Sequence, residues 1–413
     1  MKYIILIGDG MADNPLPHHA GRTPLELAGI PEMNALAAKG VVGRVLTVPQ
    51  GLPPGSDTAI LSICGHDPKA CYTGRASLEA AGSGVPLEAG DVAYRCNMVS
   101  LEDGDLPYVE KKILSHSGGS VEGHEALELA AALQADAEFA ALCQEAGMIL
   151  YPMASFRHMA VQKGADIAGL EALPPHDHLG EVIDPLLPKG CENAKALNRL
   201  MELAHGILNQ HPVNQKRRAA GKLPANGIWL WAEGMVTQLD NFGETHGNKR
   251  GFVVSAVPLV WGIGALSGLA KITVPTATGE LDTDYEAKVQ AVLDGLAAGA
   301  DFALLHIEAP DECTHAGDEA GKLQAIRNID SRVLPPLLAG LCAMDDFRLL
   351  ILSDHKTLLA TRGHDGDPVP FLLYDSRRDT GSGAVYSEAG AESGPYVEKG
   401  HELLRILLET QTL

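Results

Sequence analysis

The sequence predicts an α/β protein: an open core sheet with helices on both faces, interrupted by a smaller inserted α+β domain. Three observations lead to this prediction. Short apolar runs alternate with helical patterns, several runs end in acidic or histidine residues, and the composition changes in the middle of the chain. Strands that alternate with helices are typical of an open sheet, in which ligands bind beyond the carboxyl ends of the strands.

Five apolar runs predict strands of the core sheet. They are residues 3–7, 227–231, 303–307, 349–352 and 370–373. Continuous apolar runs of this length suit strands that are buried on both faces, as in parallel sheets. Acidic or histidine residues stand at the ends of three of these runs, so we expect a site at that edge. Taken singly, each such residue is explained equally well as an ordinary turn residue.

The middle of the chain predicts an inserted domain. Residues 120–145 are rich in Ala, Glu and Leu and predict helix, residues 153–164 can form a strand, and the Pro-rich segment 173–177 follows. The predicted boundaries are 118–182 for the insert, and 1–117 together with 183–413 for the core.

Charge and hydropathy exclude several classes of partner. The formal net charge of −21 repels nucleic acid unless a basic patch offsets it, and the one short basic cluster, 216–218, lacks interleaved aromatic residues. No apolar run approaches the roughly 20 residues that a membrane span needs. The apolar start of the chain is short and is interrupted by Asp9, so it does not predict a signal peptide. We therefore expect a small-molecule partner, with no prediction for the oligomeric state.

The seven cysteines are scattered along the chain and include no C-x-x-C pair. This pattern argues against a disulfide framework and against a cysteine zinc site. It favours a reducing compartment, and together with the lack of a targeting segment it predicts a cytoplasmic protein.

Carboxylate and imidazole side chains predict a metal centre. Asp311 and His315 would face the same way on a helical turn, Asp354 and His355 are adjacent after a predicted strand, and His364 follows nine residues later. With Asp9 the set holds three carboxylates and three imidazoles, which suits Mn²⁺ or Zn²⁺ better than Mg²⁺. Six ligands suit two ions about 3.5–4 Å apart, an arrangement that serves phosphoryl transfer. Singly, each residue is more often an ordinary surface or packed side chain.

Residues 51–61 predict a loop that enters a helix, with Ser56 at or near the N-cap. One interpretation is simple capping, because Ser is a preferred N-cap residue. The other is that the helix N-terminus holds a phosphate and that Ser56, bound to a metal, attacks phosphorus. Gly55 would let the backbone approach the phosphate closely.

A series of motifs in order, from residue 1 to about 375, resembles one family. The motifs include residues 1–13, 54–57, 72–75, 93–97, 224–231, 255–257, 276–279, 282–285, 306–312, 353–355 and 367–371. They resemble the archaeal-type cofactor-independent phosphoglycerate mutases of the alkaline phosphatase superfamily. The resemblance implies an alkaline-phosphatase-like core, two divalent ions, usually manganese, and the glycolytic interconversion of 3-phosphoglycerate and 2-phosphoglycerate.

The resemblance also implies roles for individual residues. The implied ligands are Asp311, His315 and His364 for one ion, and Asp9, Ser56, Asp354 and His355 for the other. Ser56 would form a phosphoserine intermediate. Arg75 stands at a substrate position, Arg157 and His158 match a pattern in the insert, and Arg95 and Lys222 are candidates for phosphate or carboxylate contacts. The alternative for each of these cations is a solvated surface charge.

The sequence departs from the family pattern at positions that we expect near the active site. His66 replaces Tyr, Cys313 replaces a small residue, Lys356 begins a segment that replaces Pro-Thr-Pro, and residues 232–234 replace Gly-Gln-Gly. These departures bear on the substrate. The alternatives are a phosphatase or phosphotransferase for another small phosphorylated metabolite, such as a homoserine-type substrate, and a degenerate metal-binding regulatory protein. Direct ATP use would need another site, because the sequence has no G-x-x-x-x-G-K-[ST] loop.

Overall fold

A computed structural model describes residues 1–344 and 346–409 of the chain. In chain order the strands are β1 Lys2–Gly8, β2 Val41–Val45, β3 Val92–Leu101, β4 Ile113–Ser115, β5 Met148–Tyr151, β6 Arg157–Gln162, β7 Gly227–Met235, β8 Gly251–Val254, β9 Ala270–Ile272, β10 Phe302–Ile307, β11 Phe347–Leu352, β12 Lys356–Leu358, β13 Gly363–Asp365, β14 Val369–Asp375 and β15 Tyr396–Val397.

The α-helices are α1 Pro24–Ala28, α2 Pro31–Ala37, α3 Ser56–Ile63, α4 Pro68–Cys71, α5 Arg75–Gly82, α6 Gly123–Ala135, α7 Ala137–Ala146, α8 Ala194–Asn209, α9 Pro212–Ala219, α10 Phe242–Thr245, α11 Pro258–Leu266, α12 Tyr285–Ala297, α13 Ala309–His315, α14 Glu319–Asn328, α15 Leu334–Met344, α16 Glu388–Ala391 and α17 Leu403–Leu408. Within the described ranges, no helix combines the length and the apolarity that a membrane span requires.

Two compact units divide the chain. The first contains residues 1–72, 81–83 and the segment from 238 onward, and the second contains residues 73–80 and 84–237.

The first unit is built on an eight-stranded mixed sheet with the order β15-β2-β14-β11-β1-β10-β8-β9. β1 lies between β10 and β11 and is parallel to both, while β14 runs antiparallel to β11. Helices cover both faces. On one face, Ile4 and Leu6 pack in a cluster with α2, α12, α14 and α15. Ile5 and Ile7 are buried on the opposite face. Helices α11 and α17, which have no residue in that cluster, contact strands β8, β9 and β11 of the same sheet. Four of the five predicted core strands are confirmed as β1, β10, β11 and β14.

The second unit is an antiparallel five-stranded sheet with helices. β3 pairs with β4, β6 and β7, and β6 pairs with β5. The predicted helical segment 120–145 is confirmed as α6 and α7. The unit contains the predicted insert, 118–182, and is larger than it, because β3 and β7 from the flanking segments join the same sheet.

The prediction that residues 227–231 form a core strand is wrong. They begin β7, which is antiparallel to β3 in the second unit and contacts α8. An apolar run indicates burial on both faces, and an antiparallel strand that is covered by a helix meets that condition as well as a parallel strand does.

Candidate active site

The carboxyl ends of three neighbouring parallel strands form the base of the candidate site. Asp9 follows β1, α13 follows β10, and Asp354 follows β11. The β12–β13 hairpin adds a fourth segment, in which Thr357 pairs with His364. The seven ligand positions that the resemblance implied all come together here: Asp9, Ser56, Asp311, His315, Asp354, His355 and His364.

One part of the site, the inner half, consists of Asp9, Ser56, Asp354 and His355. The Nε2 atom of His355 lies 3.6 Å from Asp9 Oδ1 and 3.3 Å from Asp354 Oδ2. The hydroxyl of Ser56 lies 3.2 Å from the same His355 nitrogen and 3.4 Å from Asp9 Oδ2. Asp9, Asp354 and His355 each offer a ligand atom, all within 4.8 Å of one another.

The other part, the outer half, consists of Asp311, His315 and His364. Asp311 Oδ2 lies 3.1 Å from His315 Nε2, Asp311 Oδ1 lies 3.4 Å from His364 Nε2, and the two Nε2 atoms are 3.0 Å apart. The ring centroids of His355 and His364 are 4.1 Å apart, and His355 also falls in a group with Asp311 and His364. His355 is therefore within reach of both halves.

Ser56 is the first residue of α3, and the N-cap position belongs to Gly55. The capping interpretation of Ser56 is therefore wrong. Its hydroxyl instead points at the carboxylate and the imidazole of the inner half. Because Ser56 is the first residue of α3, the free N–H groups and the positive dipole end of this helix lie next to its hydroxyl. All eight residues of the helix are buried. Such a helix start suits an anion such as phosphate.

The inner half carries more negative charge than its protein partners neutralise. Asp9 Oδ1 and Asp354 Oδ2 are buried and accept no hydrogen bond from any described residue. Burial raises the pKa of Asp9 well above its usual range, and the charges of Asp354 and Asp311 add to this effect. Burial lowers the pKa of His355, so this imidazole is neutral and able to bind a metal. Buried carboxylate oxygens that accept no hydrogen bond are costly, and a divalent cation would bind them. The residues therefore fit a metal.

Hydrogen bonds partly balance the charge of the outer half. Burial would raise the pKa of Asp311, but hydrogen bonds from His315 and His364 hold it well below its usual range. The hydrogen bond to Asp311 raises the pKa of His315 to about 9. A metal at this half would therefore displace a proton from His315.

The buried His306 supports Asp9, and sequence analysis missed it. Its Nε2 lies 2.9 Å from Asp9 Oδ2 and its Nδ1 lies 3.2 Å from Ser255 Oγ. Burial lowers the pKa of His306 to about 4, so the ring is neutral. We assign the proton to Nε2, which donates to Asp9 while Nδ1 accepts from Ser255. A hydrogen bond from a neighbouring residue to a metal ligand, such as that from His306 to Asp9, fixes the orientation of the ligand. The sequence feature that could have indicated this role is the single histidine inside the apolar run 303–307.

A buried ion pair fixes the loop that follows Asp9. Lys322 Nζ lies 2.8 Å from Asp13 Oδ2 and 2.6 Å from the carbonyl oxygen of Thr357, whose hydroxyl donates to Asp311 Oδ1 at 2.5 Å. Removing one member of a fully buried pair costs about 3–5 kcal/mol. Gly10 completes the turn at φ +59°, where a Cβ would lie 2.7 Å from Asp311 Oδ1.

In the second unit the structure brings the predicted arginines together. Arg75 Nε lies 2.9 Å and Arg95 Nε 2.7 Å from the carboxylate of Glu79. Burial would raise the pKa of Glu79, but Arg95, Arg75 and Arg157 hold it well below its usual range. The guanidinium of Arg95 also stacks 4.9 Å from the ring of Trp231. The charges of three arginines therefore meet at one buried carboxylate.

Two histidines of the second unit, His116 and His176, were not predicted. Their ring centroids are 6.0 Å apart, and His176 contacts Trp231 at 5.2 Å. Burial lowers the pKa of each, and the charge of Arg157 lowers both further. They therefore line the same arginine cluster as neutral hydrogen-bonding groups.

The structure does not bring His158 or Lys222 to this cluster. His158 is fully buried, accepts a hydrogen bond from the Met153 N–H at 2.9 Å, and has its pKa lowered to about 4 by burial. It follows Arg157 in β6, so the two side chains point to opposite faces of the sheet. Lys222 is exposed in the loop before β7, whereas Trp231 lies within that strand.

The expectation that His66 lies near the active site is wrong. Ser56 begins α3, whereas His66 lies three residues beyond its last residue, Ile63, and the eight-residue helix spans about 12 Å. His66 Nε2 instead lies 2.9 Å from Ser267 Oγ.

Two other departures from the family pattern lie beside the candidate site. Cys313 stands in α13 between the predicted ligands Asp311 and His315. Lys356 Nζ contacts Asn14 Oδ1 at 2.9 Å beside the inner half.

Comparisons with known proteins point to one family. A family model described as 2,3-bisphosphoglycerate-independent phosphoglycerate mutase matches residues 37–214. A relative from Geobacter sulfurreducens, named probable 2,3-bisphosphoglycerate-independent phosphoglycerate mutase, is 42% identical over 411 residues, which are 99% of this chain and 100% of the relative. A Methanothrix thermoacetophila protein named 2,3-bisphosphoglycerate-independent phosphoglycerate mutase is 42% identical over 410 residues, with the same coverage.

Two solved structures share the fold over the full chain. A Pyrococcus horikoshii protein has a TM-score of 0.78 at 27% identity and covers 100% of this chain and 99% of its own. A cofactor-independent phosphoglycerate mutase from Thermoplasma acidophilum has a TM-score of 0.61 at 26% identity, with 99% of each chain covered.

Proposed function

The chain belongs to the 2,3-bisphosphoglycerate-independent phosphoglycerate mutase family, and we propose that it interconverts 3-phosphoglycerate and 2-phosphoglycerate through a phosphorylated Ser56. The position of the Ser56 hydroxyl carries this proposal. It stands at the start of a buried helix, 3.2 Å from His355 and 3.4 Å from Asp9, beside carboxylate oxygens that accept no hydrogen bond from the described residues.

Two divalent ions are part of the proposal. Asp9, Asp354 and His355 would hold one ion together with Ser56, and Asp311, His315 and His364 would hold the other. When bound, such ions neutralise phosphate charge and favour the ionised form of a coordinated hydroxyl. We propose Mn²⁺, since the mixed carboxylate and imidazole donors suit it; they also suit Zn²⁺, and Mg²⁺ less well.

The transfer then follows from the positions of the protein groups. The Ser56 hydroxyl loses its proton, and its oxygen bonds to phosphorus as the bond from phosphorus to the substrate oxygen breaks. The departing oxygen takes up a proton, which leaves free glycerate and phosphorylated Ser56. Glycerate reorients, and its other hydroxyl loses its proton and takes the phosphoryl group back. The first turn of α3 stabilises the phosphoryl charge, and His306 holds Asp9 in place.

The arginine cluster of the second unit is the proposed recognition site for the anionic substrate. Arg75 and Arg95 contact Glu79, the charge of Arg157 acts on the same carboxylate, and planar guanidinium groups bind carboxylates and phosphates in bidentate fashion. His158 is proposed to support the strand that carries Arg157, since it is fully buried. Lys222 is a candidate for a peripheral phosphate contact, since its side chain is exposed.

The proposed setting is glycolysis in the cytoplasm. All seven cysteines are free thiols in the structure, which supports a reducing compartment.

A crossover experiment tests the reaction. The Mn²⁺-loaded protein is given a mixture of unlabelled 3-phosphoglycerate and 3-phosphoglycerate labelled in both the carbon chain and the phosphate oxygens. A mutase of the proposed kind returns 2-phosphoglycerate in which both labels stay together, without ATP and with little free phosphate. Release of phosphate at the rate of substrate loss would identify a phosphatase instead, and ATP-dependent product would identify a kinase.

A further inference from the structure

A second cluster of metal-binding side chains lies outside the Ser56 site. His18 and His19 stand in a short helical turn, residues 17–19, in the loop that follows β1, and Glu319 is the first residue of α14. His18 Nε2 lies 2.8 Å from one oxygen of the Glu319 carboxylate, and His19 Nε2 lies 2.5 Å from the other. The three ligand atoms all lie within 4.8 Å of one another.

The local backbone holds both imidazoles towards one carboxylate. Neighbouring residues of a tight helical turn point about 120° apart, so adjacent histidines do not converge by default. Here the turn is closed at Ala20, which adopts φ +57°, and Leu16 pairs with Arg22 across the loop. The two rings consequently approach to 4.5 Å between centroids.

We propose that His18, His19 and Glu319 form a third divalent-cation site, which binds Zn²⁺ and similar ions and clamps the loop after β1 to α14. Two imidazole nitrogens and one carboxylate are a donor set that Zn²⁺ uses with a water at the fourth position, whereas Mg²⁺ prefers oxygen donors. Tetrahedral Zn²⁺ ligands lie roughly 3.3 Å apart, given bonds of about 2.0–2.1 Å. The donors would therefore separate by less than about 1 Å, which side chains that are 33–59% exposed can accommodate.

Ordinary surface ion pairing explains this arrangement less well. An exposed His–Glu pair contributes about 0–1 kcal/mol and needs one imidazole. A second imidazole on the same carboxylate gains little, and two protonated rings this close would repel each other. One divalent ion accepts a lone pair from each imidazole and from the carboxylate, and so satisfies all three groups.

The site would reinforce a connection that the protein already makes internally. Asp13, in the same loop, pairs with Lys322, in the same helix, through the buried contact described above. The loop follows Asp9, and α14 follows the helix that carries Asp311 and His315. An ion at the outer end of this connection should stabilise the fold, with little effect on turnover.

Counting ions tests the proposal. Zn²⁺ bound per chain is measured by equilibrium dialysis and elemental analysis for the unmodified protein and for the double variant His18→Ala/His19→Ala. The matched control is His124→Ala, which removes an exposed histidine that also contacts a glutamate, Glu128, at 3.3 Å. We expect the double variant to bind one ion fewer than the unmodified protein, and the control to bind the same number.

A second variant guards against indirect effects. Glu319→Gln keeps the size of the side chain and should lose the same single ion, while Mn²⁺-dependent turnover of all these variants stays within about twofold, since none touches the Ser56 site. The difference of one ion does not depend on how many ions the Ser56 site binds, so the proposed function can fail separately. Equal Zn²⁺ content in the unmodified protein, the double variant and Glu319→Gln would overturn the proposal.

Discussion

The two halves of the candidate site use the same kinds of side chain in different surroundings. In the inner half, the side chains of Asp9, Asp354 and His355 are 0–3% exposed, and two carboxylate oxygens accept no hydrogen bond from the described residues. In the outer half, His315 is 37% exposed and His364 21% exposed, and both hydrogen-bond to Asp311. The inner half therefore retains carboxylate oxygens that a bound cation would pair, whereas the outer half already pairs its carboxylate with its own two histidines.

The largest effect is expected from the inner half. Replacing Asp354 by Asn removes a buried ligand that water cannot substitute, so we expect kcat/KM to fall by about three orders of magnitude or more and the inner ion to be lost. The measurement is steady-state turnover with metal content by elemental analysis. The matched control, Asp365→Asn, changes a neighbour of His364 outside the ligand set and should retain both ions. Equal losses in both variants would mean that the inner half has no special role.

A smaller effect is expected from the residue behind the inner half. His306→Phe keeps a buried ring and removes the hydrogen bond to Asp9, so we expect activity to fall about 10–100-fold. If His306 positions a ligand, the Mn²⁺ concentration for half-maximal activity should rise as well, whereas His306→Asn, which retains a donor, should recover part of the loss. Lost activity at unchanged Mn²⁺ affinity would contradict the positioning role.

The outer half should tolerate replacement better. His315→Ala leaves Asp311 and His364 in place, and water can enter this more exposed position. We expect about a tenfold weaker affinity for the outer ion and near-normal turnover at saturating Mn²⁺. Titration of activity with Mn²⁺ measures this. A loss as large as that of Asp354→Asn, with no rescue by metal, would erase the distinction between the halves.

The stabilising contribution of the outer half should depend on pH through His315. The pKa of His315 is raised to about 9 in the metal-free protein, so its stabilising contribution is complete below about 6.5 and is lost as pH rises through about 9. We expect the free energy of unfolding of the metal-free protein to decline across this window, and His315→Gln to lack that part of the decline. Urea unfolding at several pH values tests this, with His124→Gln as the control. Over the same window, Mn²⁺ affinity should rise, because the ion competes with the proton.

The contrast also explains what the sequence could predict. Asp9 and Asp354 follow apolar strands, and carboxyl ends of parallel strands meet at one edge, so their convergence could be foreseen. The role of His306 was missed because this residue lies inside an apolar run, where a histidine is usually interpreted as a packed core residue. His66 was misplaced because it follows Ser56 by ten positions, and helix α3 between them places it at the opposite end of that helix. The run 227–231 was assigned to the wrong sheet because burial on both faces does not determine strand direction.

The central claim is that Ser56 is the nucleophile, and its phosphorylation tests the claim most directly. The Mn²⁺-loaded protein is mixed with 3-phosphoglycerate, quenched in acid within milliseconds and analysed by mass spectrometry. We predict one phosphate on Ser56, none in Ser56→Ala, and a loss of turnover in that variant of many orders of magnitude with the outer ion still bound. Ser62→Ala, which removes another buried hydroxyl from the same helix, should be phosphorylated normally. Full turnover by Ser56→Ala, or phosphate on a different residue, would contradict the account.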